Sequence, residues 1–313
     1  MAADRSGAPA VGPDHPGARL SIERYGMAAP LLIVGGDGTV ATALAAHLTA
    51  RGIGFHATTR RAPRPDRPFL DLAAESGFEL ADAGYGSAVI CAAVARLAAC
   101  AADPAGSRAV NVTGTAALAR RLAANGTRVL YLSTDKVFDG TRPRRRADEP
   151  TCPATEYGRQ KAEAEAAVLA LPGGTVLRLS KVIHPGMTLF EGWAADLRAG
   201  RAIAPFADMG FAPVTTSMVA STIEAVLARG GPGLWQLSAP EDVTYAAAAL
   251  HIARRLGAPE ALVRPAEGAA AQALGGERPV PFTAFDTGRL SAELGIEPPA
   301  ALRAIDACLD PAA

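Results

Sequence analysis

Tyr157 and Lys161 stand four residues apart in the run Tyr157-Gly158-Arg159-Gln160-Lys161, a spacing that puts both side chains on one face of a helix. A free tyrosine titrates near ~10, too high for easy proton exchange at neutral pH. An adjacent ammonium favours the phenolate and pulls that value down. A phenol tuned in this way can protonate a carbonyl oxygen as hydride arrives at the carbon, or accept the proton in reverse. Ser133-Thr134 follows the apolar run Arg128–Leu132. A hydroxyl just past the end of a strand lies where open α/β sheets bind ligands, and it can hydrogen-bond a substrate carbonyl. A Tyr-x-x-x-Lys pair also arises as plain helix structure, so its meaning depends on what the rest of the chain builds around it.

A hydride donor is implied by the first apolar run, Leu31–Gly35, which leads into Gly35-Gly36-Asp37-Gly38-Thr39-Val40-Ala41. This fits G-x-x-G-x-x-G with Ala41 at the third small position. Gly35 permits the tight turn, Gly38 lets backbone approach a pyrophosphate, and Ala41 lets helix pack on strand. The helix N-terminus at Thr39 and Val40 then offers free N–H groups to phosphate. At the end of the second strand an acid would hold a ribose hydroxyl, whereas arginine suits a 2′-phosphate. The chain has Thr58-Thr59-Arg60-Arg61 and no acid before Asp66, which favours NADP(H) over NAD(H). The same arginines could also be no more than solvated surface charges.

These residues need a scaffold, and the periodicity supplies one. Strand-like runs at Leu31–Gly35, Ile53–Thr59, Phe69–Leu72, Ala88–Ala93, Arg128–Leu132 and Thr175–Leu179 alternate with helical spacing at Val40–Arg51, Pro104–Asn125 and Glu156–Leu171. Such alternation predicts βαβ units. The expected fold is α/β, a Rossmann-type doubly wound parallel sheet with a smaller C-terminal substrate-binding lobe. Residues 1–27, rich in Gly, Pro and charge, are expected to form a mobile tail. Residues 28–180 are expected to be the NAD(P)-binding domain. Residues 181–313 are expected to be mainly substrate lobe, with some segments returning to the sheet. There Ser217–Arg229 and Tyr245–Leu256 look helical and Leu234–Leu237 looks like a strand.

Composition narrows the function classes. Lys+Arg and Asp+Glu both number 31, for a net charge of zero, which argues against a nucleic-acid or anionic-membrane partner. The four cysteines have no C-x-x-C spacing, and with five scattered histidines they give no metal signature. No apolar run is long enough to span a bilayer and no apolar leader core is visible, so a cytoplasmic location is expected.

Taken in order, the motifs resemble an extended short-chain dehydrogenase/reductase, most closely its dTDP-4-dehydrorhamnose reductase-like branch of sugar-nucleotide enzymes. Gly35–Ala41 is similar to the family's dinucleotide turn. Asp71-Leu72 falls where the family contacts adenine, and Cys91-Ala92-Ala93 where Asn-Ala-Ala is usual. Asn111–Thr115 resembles V-N-V-x-G-T. Leu130–Gly140 resembles the branch's S-T-D-Y-V-F-D-G strand and loop, followed by Asp148-Glu149-Pro150, Pro153 and Tyr157–Lys161. The resemblance implies Thr134, Tyr157 and Lys161 as catalytic residues, Lys161 holding the ribose and Asn111 supporting Lys161 through the helix and a water. It implies cofactor contacts from Gly35, Gly38, Thr39, Val40, Ala41, Arg60, Asp71, Leu72, Cys91, Ala92, Ala93, Asn111 and Ser133. The implied activity is NADP(H)-dependent reduction of a keto group on a nucleotide-linked deoxysugar, by an enzyme that could be a homodimer. An epimerase or dehydratase of the same family, and a non-catalytic nucleotide-binding subunit, are the alternatives.

The chain departs from the branch at Lys136, where tyrosine is usual, and at Lys181 and His184, where aromatics are usual. Lys136, Lys161 and Lys181 are also the three lysines among the 31 basic residues. Elsewhere the chain uses arginine, so lysine is expected where a compact point charge is needed. Lys136 and Lys181 each follow a strand end, and are expected to flank the ligand and bind an anionic group. Asp135, Val137, Phe138 and His184 complete the expected substrate contacts. Phe190, Trp193 and Phe206 could line a sugar pocket or simply be core.

Overall fold

The computed structural model describes residues 29–62, 67–268 and 278–310; the expected tail, residues 1–27, and Asp66 lie outside them. In chain order the strands are β1 (Leu31–Val34), β2 (Phe55–Ala57), β3 (Ser87–Ile90), β4 (Arg128–Thr134), β5 (Thr175–Leu179), β6 (Val182–Ile183), β7 (Gly210–Phe211), β8 (Val214–Thr215), β9 (Gly233–Leu237) and β10 (Val243–Thr244). The helices that position the site are α1 (Thr39–Ala50), α2 (Thr115–Ala124), α3 (Glu156–Leu169), α4 (Thr188–Arg198), α5 (Thr216–Arg229) and α6 (Tyr245–Arg255).

A six-stranded parallel sheet runs in the order β2-β1-β3-β4-β5-β9. Its strands are apolar on both sides because both faces are covered. Leu31 and Ile33 point into a cluster with Leu44 and Leu48 of α1 and Val219 and Ile223 of α5. Leu32 and Val34 point into the opposite cluster with Leu118 and Leu122 of α2 and Ala164 and Val168 of α3. The alternation is the period of two that a pleated strand imposes. A third cluster, with Phe190, Phe211, Ile252 and Ile305, fills a smaller lobe built mainly from residues beyond 181. That lobe holds the two-stranded pairs β6–β8 and β7–β10.

Three expectations change on inspection. Phe69–Leu72 does not become a strand of the sheet. It makes isolated bridges, Thr59 with Phe69 and Asp71 with Ser76, because Asp71 turns the chain by accepting the Ala73 N–H on its carboxylate. The second strand spans Phe55–Ala57 rather than the whole of Ile53–Thr59. The expected helix Pro104–Asn125 contains a π-helical turn, Ala109–Gly114, between Pro104–Arg108 and α2, a device often found at functional sites. The expected strand at Leu234–Leu237 is β9, which closes the sheet beside β5 with Arg178 opposite Gln236. There Arg178 donates to Glu165 of α3 and to Gln236 in a buried ion pair. Its satisfied hydrogen bonds are what make such a pair tolerable away from water.

Candidate active site

The chain passes from β1 to β2 on one side and then crosses to β3 on the other. The carboxyl ends of β1 and β3 therefore part to leave a crevice, where open sheets bind ligands. A cleft of about 430 Å³ lies there, lined by Gly35, Gly38, Arg60, Asp71, Leu72 and Cys91-Ala92-Ala93 among others. Gly35 adopts a left-handed φ of 85°, and a Cβ there would lie 2.8 Å from Ala92 Cα. Its N–H donates to Thr58 Oγ1 at 3.0 Å, pinning the turn to the end of β2. Helix α1 begins at Gly38 with no side-chain cap, leaving its first N–H groups for an outside acceptor. Backbone pared to glycine, uncapped donors and a cleft of this volume fit a dinucleotide.

Some expected contacts stand back from this cleft. Ala41 is fully buried against the sheet, where it sets helix-to-strand distance. Asn111 donates to Val94 O and Gln160 Oε1 and accepts the Val94 N–H. It ties the loop after β3 to α3. Ser133 is buried, its Oγ without a partner.

The end of β2, which has no acid of its own before Asp66, receives one from Asp37. Its carboxylate reaches that end from the glycine turn, accepting from Thr59 Oγ1 at 2.6 Å and pairing with Arg67 at 3.0 Å and Arg61 at 3.9 Å. The Thr59 hydrogen bond, helped by these arginines, holds its pKa below the usual range. Thr58 and Arg61 also line the cleft, beside the expected Arg60.

Thr134 ends β4, and Tyr157 and Lys161 face it from the first turns of α3. Thr155 caps this helix by accepting the Gly158 N–H. Gly158 is what lets the helix come so close, since a Cβ there would lie 2.0 Å from the Lys136 carbonyl oxygen. Gly158→Ala is expected to destabilise the protein by about 1–3 kcal/mol through overpacking. The helix-propensity gain of up to ~1 kcal/mol offsets only part of this. A urea midpoint at or above that of the parent chain would show the contact to be slack.

Lys161 Nζ donates to Leu132 O at 2.6 Å and lies 3.9 Å from the centre of the Tyr131 ring. Burial pushes its pKa down to about 7, against an opposing pull from Glu165 and Cys91. The expected depression of the phenol by Lys161 is not found. Burial pushes Tyr157 above its ordinary value, the Asp135 and Cys100 charges add to the rise, and a hydrogen bond with Thr134 only partly offsets them. A four-residue spacing supplies the ammonium but says nothing of burial, and desolvation opposes both charged forms.

On the lobe side a second cavity, also about 430 Å³, is lined by Asp135, Lys136 and Lys181 at a polar end and by Trp193, Phe206, Phe211 and Tyr245 at an aromatic one. The rings of Phe211 and Tyr245 stack at 4.5 Å. Phe190 lies beneath them as core. Val137 and Phe138, expected to touch substrate, are buried instead; Phe138 packs on Phe285 with the Arg145 and Arg178 guanidiniums over its ring. His184 is turned to its own loop, where Nδ1 meets Pro185 O and its carbonyl accepts from Cys308. Asp135–Val137 form one 3₁₀ turn, whose successive side chains point about 120° apart, so neighbours in sequence need not share a cavity.

Among the described residues there is no His/Cys/Asp/Glu cluster suited to a metal and no helix long and apolar enough to cross a membrane.

A family model described as RmlD substrate binding domain matches residues 29–313. A dTDP-4-dehydrorhamnose reductase of Streptomyces griseus is 32% identical over 245 residues, 75% of this chain and 78% of the relative. A dTDP-4-dehydrorhamnose reductase of Sinorhizobium fredii is 41% identical over 120 residues, a match spanning 37% of this chain and 40% of the relative. Among solved structures, a Bacillus anthracis dTDP-4-dehydrorhamnose reductase in complex with NADP superposes with a TM-score of 0.77 at 18% identity, covering 90% of this chain and 97% of that one.

Proposed function

This chain belongs to the RmlD substrate binding domain family, and we propose on that footing that it is an NAD(P)-dependent oxidoreductase reducing a keto group on a dTDP-linked deoxysugar. The observation that best supports the reading is geometric: Thr134, which ends β4, donates to Asp135 of the lobe cavity wall, while Lys161 Nζ is held at the Leu132 carbonyl of the same strand, whose neighbour β3 runs on into Cys91 of the dinucleotide cleft.

The glycine turn and the N-terminus of α1 hold the cofactor's pyrophosphate, and Asp71-Leu72 and Cys91–Ala93 form the walls. Bound there, a reduced nicotinamide supplies hydride. Thr134 orients the keto oxygen of the sugar, and Tyr157 gives that oxygen its proton. A phenol held above its ordinary pKa stays protonated throughout the neutral range, as a donor must. Lys161, one helical turn on from Tyr157, brings a positive charge to the site when protonated and holds the cofactor ribose. The aromatic end of the lobe cavity accepts the apolar parts of the substrate.

NADPH is the favoured donor, because Arg60 stands on the cleft wall while Asp37 is already engaged by Thr59 and Arg67. Fluorescence titration is expected to show Arg60→Ala losing about tenfold or more in NADPH affinity, the value of a charge-assisted phosphate contact, with NADH affinity unchanged. Equal losses for both would remove the 2′-phosphate assignment. Consumption of NADPH on adding a dTDP-4-keto-6-deoxysugar tests the activity itself. Folded protein that binds neither nucleotide would overturn the reductase reading.

A further inference from the structure

We propose that Gln160 is a positioning residue, which through Asn111 couples the wall of the dinucleotide cleft to the helix carrying Tyr157 and Lys161. The proposal rests on the reductase reading and adds to it a fully buried side chain that lines neither cavity.

A buried amide is costly unless its donors and acceptor are engaged, and those of Gln160 are. Its Oε1 accepts from Asn111 Nδ2 at 2.8 Å. Its Nε2 lies within donating distance of Ser107 Oγ at 2.9 Å, Glu156 Oε1 at 3.0 Å and Pro104 O at 3.3 Å. Asn111 is as fully committed. Buried in the π-helical turn, it grips one residue at two points. Nδ2 donates to Val94 O at 3.0 Å, and Oδ1 accepts the Val94 N–H at 2.8 Å. A grip on both backbone groups fixes the orientation of the peptide as well as its distance. Cys100 Sγ donates to the same carbonyl at 3.2 Å.

The two ends of this chain of contacts give it a role. Val94, with Cys91-Ala92-Ala93 before it, lines the dinucleotide cleft. Gln160 directly precedes Lys161 and follows Tyr157 by three residues on α3. The path Val94–Asn111–Gln160 therefore sets the separation between the cofactor's wall and the proton-transferring group. Packing alone would be served by leucine at position 160. A π turn is rare and concentrates at functional sites, and this one carries Asn111. Fully satisfied buried networks rigidify what they join. Hydride transfer is sensitive to that rigidity, since a misplacement of about 1 Å can cost about 10²-fold in rate.

Gln160→Met keeps the length of the side chain and removes its hydrogen bonds. In the cofactor-free full-length protein, hydrogen exchange at the Val94 amide is expected to quicken about tenfold, the worth of one hydrogen bond, while the amides of β4 keep the parent rate. NADPH affinity should fall about threefold or more. At saturating NADPH, kcat toward a dTDP-4-keto-6-deoxysugar should fall about tenfold or more, with KM for the sugar within about twofold. In an Asn111→Ala background Gln160→Met should cost little further NADPH affinity, because both changes cut one path. Gln160→Ser, which leaves room for water to serve Asn111, gives the same readings if Gln160→Met does not fold. A merely structural Gln160 would lower the urea midpoint and leave Val94 exchange, NADPH affinity and kcat of the folded protein at parent values. That result overturns the proposal, and so does full additivity of the Gln160 and Asn111 substitutions. Quickened Val94 exchange in a folded protein whose parent binds neither nucleotide would uphold the link and remove the reductase reading instead.

Discussion

Tyr157→Phe is expected to lower kcat by about 10²–10⁴-fold, the usual worth of a positioned general acid, with NADPH affinity within about twofold of the parent chain. The ring stays and only the hydroxyl goes, so packing against the end of β4 is preserved and the loss reports proton transfer. Turnover and NADPH binding measured on the same preparation separate the two effects. If the variant kept turnover within about threefold of the parent chain, the proton would have to come from elsewhere, and Tyr157 would lose its role. Its raised pKa adds a second requirement. Reduction should not fail at neutral pH through loss of the phenolic proton, so any limb near neutrality belongs to another group.

That group is Lys161, whose pKa is near 7. Free-enzyme activity, read as kcat/KM, should fall as pH rises through about 7 and the ammonium is lost. Lys161→Met should cost about 10²-fold or more in kcat/KM and abolish the limb. Stability should move the opposite way. The folded pKa lies below the ordinary lysine value, so between the two the unfolded chain binds more protons than the native one. The cost of burying Lys161 is therefore fully present below about 7, and native stability rises as pH climbs from there toward the lysine range. Lys161→Met lacks this term, so its advantage in urea midpoint over the parent chain should be greatest near about pH 6 and shrink by about pH 9. An advantage independent of pH would mean that Lys161 is not deprotonated by burial.

How much of this could be read from the sequence depended on how local the cause was. The glycine turn, the parallel order of strands and the Tyr-x-x-x-Lys face follow from short-range spacing, and the fold has them. The convergence of Lys136 and Lys181 on one cavity was also legible, because both follow the ends of adjacent strands. What escaped depends on three-dimensional company. Asp37 meets Arg61 and Arg67 only because the glycine turn folds over the end of β2. Phe138 is drawn away from the substrate side by Phe285 and two guanidiniums, one of them from β5. The phenol's direction of shift depends on the Asp135 carboxylate and on burial, neither of which a four-residue spacing contains.

The return of β9 to the edge of the sheet beside β5 has a consequence for biosynthesis. On the ribosome the first five strands are complete once Leu179 has emerged, yet β5 then presents an unpaired edge. Its partner, Gly233–Leu237, lies beyond much of the lobe. At about 5–20 residues per second, the growing chain carries that open edge for seconds. Exposed edges of this kind recruit other strands. A nascent chain stalled between these two segments, or a fragment cut after the first five strands, should therefore be a client for chaperones and proteases, although it contains the whole dinucleotide turn.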